Sequence, residues 1–462
     1  MNKNLDFIRL RQEYPEFWYK SYRISDDGDA ILLEYEFEIP GLTVFRPKLK
    51  ILKKQLDWKS VESATVRNLA FQIGMVELIS YWKCVCAPKV VVKCGILDAE
   101  QVVWWKKLYF NGLGELFYTN EIETTLEDFM SIECAEDAPK LKVESEVAES
   151  DGYLILIGGG KDSIVTLETL KPDLERDFCM IVNPKPVTRK CAELAGIPEA
   201  HVVEVERKID ENLLKLNQEG FINGHTPFST MLAFVSYLVA DLLGLKYTVA
   251  SNESSANEAN VCNACDQKVN HQYSKSFEFE RDFMWYAERY LKAPVRYLSL
   301  LRPLNELQIA KIFAKLEKYH STFKSCNVGS KGAEWVWCNN CAKCLFAFTI
   351  LSPFLYREKL VKIFGEDLFR KEGLWPILQE LSGYGETKPF DCVGTFEEVN
   401  VALSLTAQKV REWGEKLPEL LAKFECEYGF VEVTEDLTAR WNDENNLTPE
   451  QDKLLREMLA NA

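Results

Sequence analysis

The segment "LILIGGGKDS", residues 154–163, carries the residue types that hold a phosphate: three consecutive glycines, then a lysine, an aspartate and a serine. A glycine turn between an apolar strand and a helix exposes backbone N–H groups, and the helix N-terminus adds a positive dipole. A Walker A motif is excluded because Ile155 stands where its first glycine belongs, and a dinucleotide fingerprint because Ser163 replaces its third glycine. We therefore expect an oxyanion cradle, with a plain glycine-rich turn as the alternative. The cradle would consist of Gly158, Gly159, Gly160, Lys161, Asp162 and Ser163.

A second group suited to chemistry is the cysteine set in "SCNVGSKGAEWVWCNNCAKC", residues 325–344. One cysteine is followed, after eleven residues, by two overlapping Cys-x-x-Cys pairs. Four thiolates at such spacings can surround a tetrahedral Zn²⁺, and a closed four-sulfur shell is structural rather than catalytic. An iron–sulfur cluster and reduced, unliganded cysteines are the alternatives. The predicted metal ligands are Cys326, Cys338, Cys341 and Cys344.

The composition indicates a large globular protein with little attraction for polyanions. Of its 462 residues 47% are hydrophobic, and 71 acidic against 55 basic residues give a formal net charge of −16. Because this charge opposes the phosphate attraction on which nucleic-acid binding relies, we expect no nucleic-acid partner. The longest apolar stretch, residues 231–245, is short for a membrane span and contains Asp241, and residues 1–17 show no secretion signal. Fourteen cysteines favour free thiols in a reducing compartment, so we expect a soluble, cytoplasmic protein without membrane association.

Strand and helix patterns divide the chain into three parts. Residues 1–145 mix alternating and helical stretches, which indicates an N-terminal α+β domain, and the polar segment 135–152 marks its end. Residues 150–350 alternate short apolar strands with helices and include the cysteine set. This alternation predicts an α/β fold with a doubly wound parallel sheet, whose ligands bind at the carboxyl ends of the strands. Residues 351–462 have the pattern of a helical C-terminal region.

The glycine segment resembles the Ser-Gly-Gly-x-Asp-Ser signature of the PP-loop ATP pyrophosphatase superfamily, with Gly158 in place of the first serine. The resemblance implies that the sheet belongs to this superfamily's fold. It also implies that ATP is cleaved to AMP and pyrophosphate, with the substrate adenylated on the way. In this interpretation Asp162 helps to hold Mg²⁺, and Lys161 offsets charge on the leaving pyrophosphate. The backbone near Asn183, at the end of the next strand, would meet the adenosine.

Four polar stretches, two of them beside predicted strands or helices of the sheet, cover residues 223–230, 251–260, 269–280 and 388–398. Together with "RPLNELQIAKIF" and "CNNCAKC" they resemble the UDP-N-acetylmuramoyl-L-alanyl-L-glutamate epimerase family, and the resemblance runs over most of the chain. It implies inversion of the terminal glutamate of UDP-MurNAc-L-Ala-L-Glu with consumption of ATP. The product supplies D-glutamate to bacterial peptidoglycan.

Such an inversion needs proton-carrying groups on both faces of the glutamyl α-carbon, and the polar stretches contain the candidates. Each has a plainer interpretation: a histidine at a helix entry or in a polar network, an inert thiol, or a solvated surface charge. The candidate bases are His225, Glu253, His271, Glu278 and Cys392. The candidate substrate contacts are Asn252, Asn257, Lys275, Arg281 and Arg302.

Two other functions fit parts of the sequence. Some PP-loop enzymes that modify tRNA or a nucleobase carry a similar cysteine set, and such an enzyme requires a basic face, which the net charge of −16 disfavours. The substitution at Gly158 also fits a non-catalytic nucleotide-binding module, which binds ATP without releasing pyrophosphate.

Overall fold

The structure is a computed structural model that describes residues 3–54, 56–141, 143, 150–262, 268–332, 335–433 and 437–462. Part of the polar segment expected at the first domain boundary, residues 142 and 144–149, lies outside the described residues. The strands are β1 Glu16–Asp26, β2 Ala30–Ile39, β3 Thr43–Phe45, β4 Lys48–Leu52, β5 Lys89–Val92, β6 Ser131–Cys134, β7 Tyr153–Leu156, β8 Phe178–Val182, β9 Val202–Lys208, β10 Tyr247–Ala250, β11 Val261–Cys262, β12 Lys268–Val269 and β13 Arg296–Ser299. The helices are α1 Lys3–Glu13, α2 Ala64–Trp82, α3 Ala99–Gly112, α4 Gly114–Thr119, α5 Lys161–Leu170, α6 Pro186–Leu194, α7 Glu211–Gln218, α8 Phe228–Leu242, α9 Phe277–Tyr286, α10 Glu306–Ala314, α11 Ala342–Leu351, α12 Arg357–Phe364, α13 Trp375–Ser382, α14 Phe396–Glu412, α15 Glu419–Glu427 and α16 Pro449–Ala460.

Within the described residues, eleven of the strands form one sheet in the order β13-β10-β7-β8-β9-β4-β2-β1-β5-β6, with β3 paired to β2. All pairs from β13 to β9 are parallel. The chain runs from β7 outward to β8 and β9, and then returns to the other side of β7 to form β10 and β13. The connections therefore diverge between β7 and β10, which is the point where doubly wound sheets bind ligands.

The parallel strands are buried on both faces because apolar side chains alternate between two cores. Leu154 and Met180 belong to a core that also contains α2 and α8. Ile155 and Ile181 belong to the opposite core, with α5 and α10. The expected α/β fold with a mostly parallel sheet is thus confirmed.

None of the described helices has the length and apolar character that crossing a bilayer requires.

The N-terminal strands extend the same sheet. Strand β4 pairs antiparallel with β9, so that Ile51 lies opposite Val205, and β2, β1, β5 and β6 continue from there. Residues on both sides of the expected boundary near 145 therefore share one sheet, and the three-part division of the chain stays a prediction. Beyond residue 350 the described residues form helices and loops without a strand, as expected.

A buried ion pair ties helix α2 to the edge of the parallel strands. Arg207 on β9 donates from Nε to Glu77 Oε2 at 2.9 Å and from Nη2 to Glu77 Oε1 at 3.0 Å. The Glu77 side chain is 1% exposed and the Arg207 side chain 10%. Burial opposes the charge, but Glu77 raises the pKa of Arg207, so the guanidinium stays charged. Arg207 Nη2 also donates to Ser80 Oγ at 3.0 Å, but Arg207 is the cation that offsets the charge of the buried Glu77 carboxylate.

We expect Arg207→Met to lower the free energy of unfolding by about 3–5 kcal/mol, because it leaves the Glu77 carboxylate buried without a partner. Arg46→Met is the matched control, since Arg46 pairs with Glu36 at 2.9 Å in the solvent, with 62% of its side chain exposed. The control should cost no more than about 1 kcal/mol. Urea unfolding followed by tryptophan fluorescence measures the free energy of unfolding of both variants. Equal losses in the two variants would show that the buried ion pair stabilises the fold no more than the exposed one.

Candidate active site and metal centre

The carboxyl edge of the sheet opens into a cavity of about 270 Å³ where β7 and β10 lie side by side. The residues after β7 contribute Gly158, Gly160 and Asp162 to its wall, and those after β10 contribute Ser251 and Asn252. The sequence-predicted phosphate segment and one predicted substrate stretch are therefore neighbours. This position is the one expected from the reversal of strand order.

The glycine loop is a tight turn whose conformation depends on glycine. Gly159 has φ +78°, a left-handed value that favours glycine, and a Cβ there would lie 3.2 Å from Thr188 Cγ2. Its carbonyl accepts a hydrogen bond from the Lys324 backbone N–H at 3.0 Å, which fixes the loop. A Cβ at Gly158 would meet no heavy atom within 4 Å. The loop therefore leaves open space at Gly158, and α5 begins directly behind it.

Lys161 lies beneath this loop and pairs with acids, outside the lining of the cavity. Its ammonium donates to the carboxylates of Asp162 and Glu306, and the residue is 6% exposed. Burial opposes the charge, but these carboxylates raise the pKa of Lys161, which therefore stays protonated. Glu306, the first residue of α10, also donates its backbone N–H to Glu398 Oε1 at 2.8 Å. Burial raises the pKa of Glu306.

A cysteine, a histidine and a glutamate meet at the side of the cavity. Cys392, on the loop before α14, lines the cavity and interacts with the charge of His271. His271 Nδ1 in turn contacts the Glu115 carboxylate on α4. Lys275 Nζ lies 3.0 Å from Cys392 Sγ, and the Lys343 ammonium donates to the Cys392 carbonyl oxygen. The structure thus joins residues that lie up to 277 positions apart in the sequence.

The charges of this group favour a thiolate. Burial raises the pKa of a thiol, but Lys275, His271 and Lys343 outweigh it and lower the pKa of Cys392 to about 6. Burial likewise opposes the charge on His271, yet Cys392 and Glu115 raise its pKa to about 9. At neutral pH the two side chains form a thiolate–imidazolium pair. His225, whose ring centroid lies 4.3 Å from that of His271, is neutral because burial and His271 lower its pKa to about 4.

Other predicted site residues form hydrogen bonds in the cavity wall and beneath it. Asn252 Nδ2 donates to Ser299 Oγ at 2.9 Å. Arg302 is 0% exposed and donates to the backbone carbonyls of Glu253 at 2.7 Å and Lys275 at 2.6 Å. The structure therefore places Arg302 beneath the site, where it fixes two segments of the wall. The buried Glu253 carboxylate interacts with the charges of Lys161 and Lys275.

The remaining predicted residues lie away from this cavity. Asn183, with φ +49°, ends β8 and accepts a hydrogen bond from the Arg207 backbone N–H at 2.8 Å. Asn257 and Arg281 line a separate polar cavity of about 430 Å³, together with Glu278. The structure therefore groups Cys392, His271, His225 and Lys275 on the side of the glycine loop. Asn183, Asn257, Arg281 and Glu278 lie apart from that group.

The sequence did not reveal several residues of the site. Glu115 comes from the N-terminal part, in a short helix without any motif, and Glu306 lies in the quoted stretch "RPLNELQIAKIF" without having been singled out. Lys324, two residues before the cysteine set, and Lys343, within it, both line the cavity. Clustered lysines near a metal motif are the one signal that was available for them.

The four predicted metal ligands come together. Their sulfur atoms all lie within 4.8 Å of one another, and the Sγ–Sγ distances are 3.8 Å for Cys326–Cys341, 3.8 Å for Cys338–Cys344 and 3.5 Å for Cys341–Cys344. Four sulfurs around a tetrahedral Zn²⁺ at about 2.3 Å are roughly 3.8 Å apart, whereas a disulfide needs about 2.05 Å. Gly329 donates its N–H to Cys326 Sγ at 3.1 Å. The donor set fits a structural zinc ion.

Comparison with known proteins gives a consistent result along the chain. Residues 9–300 match the family model described as the MurL N-terminal domain, and residues 322–428 match the MurL C-terminal domain. A UDP-N-acetyl-alpha-D-muramoyl-L-alanyl-L-glutamate epimerase of Xanthomonas oryzae pv. oryzae is 33% identical over 76% of this chain and 77% of its own length. The proteins of the same name from Salinispora tropica and Micromonospora sp. are 34% and 33% identical over 75% and 85% of this chain, and 74% and 87% of their own lengths.

This chain belongs to the MurL epimerase family. The two matched regions end and begin on either side of residues 301–321, which include α10. Family members thus share both the sheet that carries the cavity and the segment that carries the four cysteines.

We expect the purified protein to contain about one zinc ion per chain, because four thiolates lie at tetrahedral spacing. Cys341→Ser should remove most of the zinc and lower the melting temperature, whereas Cys426→Ser, at an exposed cysteine of α15, should change neither. Elemental analysis and thermal melting measure both effects. A metal-free protein of unchanged melting temperature would contradict the zinc assignment.

We expect iodoacetamide to alkylate Cys392 with a pH midpoint near 6, since its thiolate forms above this pKa. His271→Asn removes the imidazolium and should shift the midpoint upward, toward the value of about 8.5 of an ordinary thiol. Peptide mass spectrometry follows the modification of Cys392, and the exposed Cys426 serves as the internal control. An unchanged midpoint in His271→Asn would refute the ion pair.

Proposed function

We propose that this protein converts UDP-MurNAc-L-Ala-L-Glu into UDP-MurNAc-L-Ala-D-Glu, with ATP cleaved to AMP and pyrophosphate through an adenylated glutamyl carboxylate. The reaction serves peptidoglycan precursor synthesis, in the cytoplasm. One observation carries the proposal: in a chain of the MurL family, the glycine loop and Cys392, whose thiolate His271 stabilises, line one cavity. A group that binds phosphates and a group that reacts with carbonyl or α-carbon atoms thus have access to the same substrate.

The chemistry requires both halves of the cavity. The α-proton of a glutamyl residue beside a free carboxylate is barely acidic, because its removal places a second negative charge next to the first. Transfer of AMP to the carboxylate removes that charge and leaves an activated acyl group, so that a modest base can take the proton. Return of a proton to the other face, followed by hydrolysis, gives the D isomer.

The residues of the loop fit ATP as a co-substrate. Gly158 and Gly160 form the wall of the cavity, and α5 starts there with its N-terminal dipole. Lys275, Lys324 and Lys343 line the same cavity and offset phosphate charge. Asp162 is the carboxylate placed to hold Mg²⁺, which neutralises charge on the triphosphate when it is bound. Lys161, paired with Glu306 beneath the loop, acts on the leaving pyrophosphate through its field rather than by contact.

The parallel strands support membership of the PP-loop ATP pyrophosphatase superfamily. Counted along the chain, the strands from β9 to β13 lie in the order 3-2-1-4-5, with the glycine loop after the first. The open space at Gly158 would accept the serine side chain of the superfamily signature without a clash. A loop with glycine at this position keeps its backbone donors and lacks one hydroxyl.

The site also favours a role for the N-terminal part in the reaction, since Glu115 reaches His271 from α4. For the anionic nucleotide-sugar, Arg281 beside Asn257 is the proposed contact in the second cavity.

Two alternative functions differ from this proposal in what stimulates pyrophosphate release. They are an enzyme acting on tRNA or a nucleobase, and a nucleotide-binding module without catalysis.

We expect release of pyrophosphate and formation of D-glutamate when the protein is incubated with Mg²⁺, ATP and UDP-MurNAc-L-Ala-L-Glu. In heavy water the glutamyl α-carbon should acquire deuterium, and omission of ATP should abolish both deuterium uptake and inversion. Chiral analysis after acid hydrolysis and mass spectrometry measure the two effects. Pyrophosphate release that requires tRNA instead would favour the nucleic-acid alternative, and binding of ATP without release would favour the module.

Asp162→Ala should lower the rate of pyrophosphate release by at least about 100-fold, because it removes a charged ligand at the phosphate site. Asp151→Ala is the matched control: this exposed residue precedes β7, at the opposite end of the strand, and pairs with Lys246 in the solvent. The control should keep the normal rate. A folded Asp162→Ala variant with normal release would show that the loop does not bind the reacting phosphates.

A further inference from the structure

The arrangement of Cys392, His271 and Glu115 is that of an activated nucleophile. A nucleophilic thiol needs an adjacent base, and the base needs a third group that orients it. Here the charge of His271 stabilises the Cys392 thiolate, and its Nδ1 is held by the Glu115 carboxylate. Glu115 is 17% exposed and comes from a different part of the chain, so its position is set by the fold. The order of partners is that of a cysteine–histidine–carboxylate triad.

The position of the thiolate matches an attack on an activated carboxylate. Cys392 lines the cavity that also exposes Gly158, Gly160 and Asp162. Lys275 interacts with the charges of both Cys392 and Asp162, so the sulfur lies beside the phosphate end of the cavity. An acyl adenylate formed at the loop would present its carbonyl carbon to this region.

The charge state of Cys392 fits a nucleophile. A thiolate whose pKa lies near 6 is about 90% ionised at pH 7, against a few per cent for a thiol whose pKa is about 8.5. Its nucleophilicity falls only about 10- to 20-fold over this interval. A low thiol pKa also makes sulfur a good leaving group. Together with the place of Cys392 in the cavity wall and its contact with Lys275, these properties support covalent bond formation by its sulfur.

We propose that Cys392 accepts the glutamyl acyl group from the adenylate and that inversion takes place on the resulting thioester. This inference rests on the proposed function, since the adenylate is its acyl donor. It assigns to Cys392 a covalent role, and to His271 and Glu115 the activation of the nucleophile.

Acyl transfer and hydrolysis balance without any further reagent, and inversion removes one α-proton and returns one from the opposite face. The Cys392 thiolate forms a bond to the glutamyl carbonyl carbon, the bond from that carbon to the phosphate oxygen breaks, and the electron pair leaves with AMP. Once the thiolate charge is consumed, Glu115 is the one remaining anion of the triad beside His271, which releases its proton to solvent. After inversion, neutral His271 takes a proton from water, whose oxygen adds to the thioester carbon. The carbon–sulfur bond then breaks and the thiolate–imidazolium pair is restored.

A thioester retains what the inversion requires. Its α-proton stays acidic, because the acyl group carries no negative charge and sulfur donates little electron density to the carbonyl. The Lys275 ammonium, 3.0 Å from Sγ, is placed to stabilise negative charge that develops on the carbonyl oxygen. The thioester keeps the acyl group in the cavity after AMP departs, so that inversion can take place before hydrolysis releases the product.

The first test traps the intermediate in the wild-type protein. Enzyme, Mg²⁺, ATP and UDP-MurNAc-L-Ala-L-Glu are mixed with enzyme in excess and quenched in acid after milliseconds to seconds. Intact-protein mass spectrometry should show an increase equal to the substrate mass minus one water. Neutral hydroxylamine should remove the adduct, and peptide mapping should place it on Cys392. D-Glutamate formation without any adduct over the whole time course would overturn the proposal.

The second test separates the thioester from adenylation. Exchange of radiolabelled pyrophosphate into ATP, dependent on UDP-MurNAc-L-Ala-L-Glu, reports on the adenylate alone. Cys392→Ala should keep this exchange and lose at least about 100-fold in D-glutamate formation, whereas the control Cys426→Ser should keep both. Normal inversion in Cys392→Ala would overturn the thioester and leave the proposed function intact. A wild-type protein without exchange or inversion would refute the proposed function itself.

Discussion

The buried ammonium of Lys161 ties the glycine loop, which lines the cavity, to the start of α10 behind it. It pairs with Asp162 in the glycine loop and with Glu306 at the start of α10. The Glu306 backbone N–H is held by Glu398, which also forms the capping box of α14 with Thr395. Cys392 stands three residues before Thr395. A continuous set of buried polar contacts therefore runs from the glycine loop to the loop that carries Cys392, and removal of one charge from such a set costs about 3–5 kcal/mol.

The electrostatics of the site differ from those of the whole molecule. The chain carries a formal charge of −16, yet Lys275, Lys324 and Lys343 line the cavity. A local positive region in an acidic protein concentrates small anions there. Two of these lysines, Lys275 and Lys343, also lower the pKa of Cys392.

The cysteines divide according to their surroundings. Cys326, Cys338, Cys341 and Cys344 face one another at spacings suited to a metal, and they anchor the segment that carries Lys343 to the cavity wall. Cys392 faces a histidine and two lysines instead. Thiols such as Cys179 and Cys191 are buried among apolar side chains, where burial raises their pKa to about 12 and keeps them unreactive. Charge and burial, not residue type, thus decide the chemistry of each.

The sequence by itself determined the features that depend on neighbouring residues. The glycine segment, the alternation of strands and helices and the cysteine spacing are all local patterns, and the sheet and the metal cluster follow them. Only the tertiary structure decided which titratable groups meet. His271 and Cys392 were candidates among several, but Glu115 carries no motif, and Arg302 proved to be fully buried beneath the wall. The continuation of the sheet through β4 and β9 was also not visible, because pairing between strands about 150 residues apart leaves no periodicity in the chain. A site is assembled from side chains of distant segments, and the field that sets the pKa of Cys392 exists only after those segments have packed together.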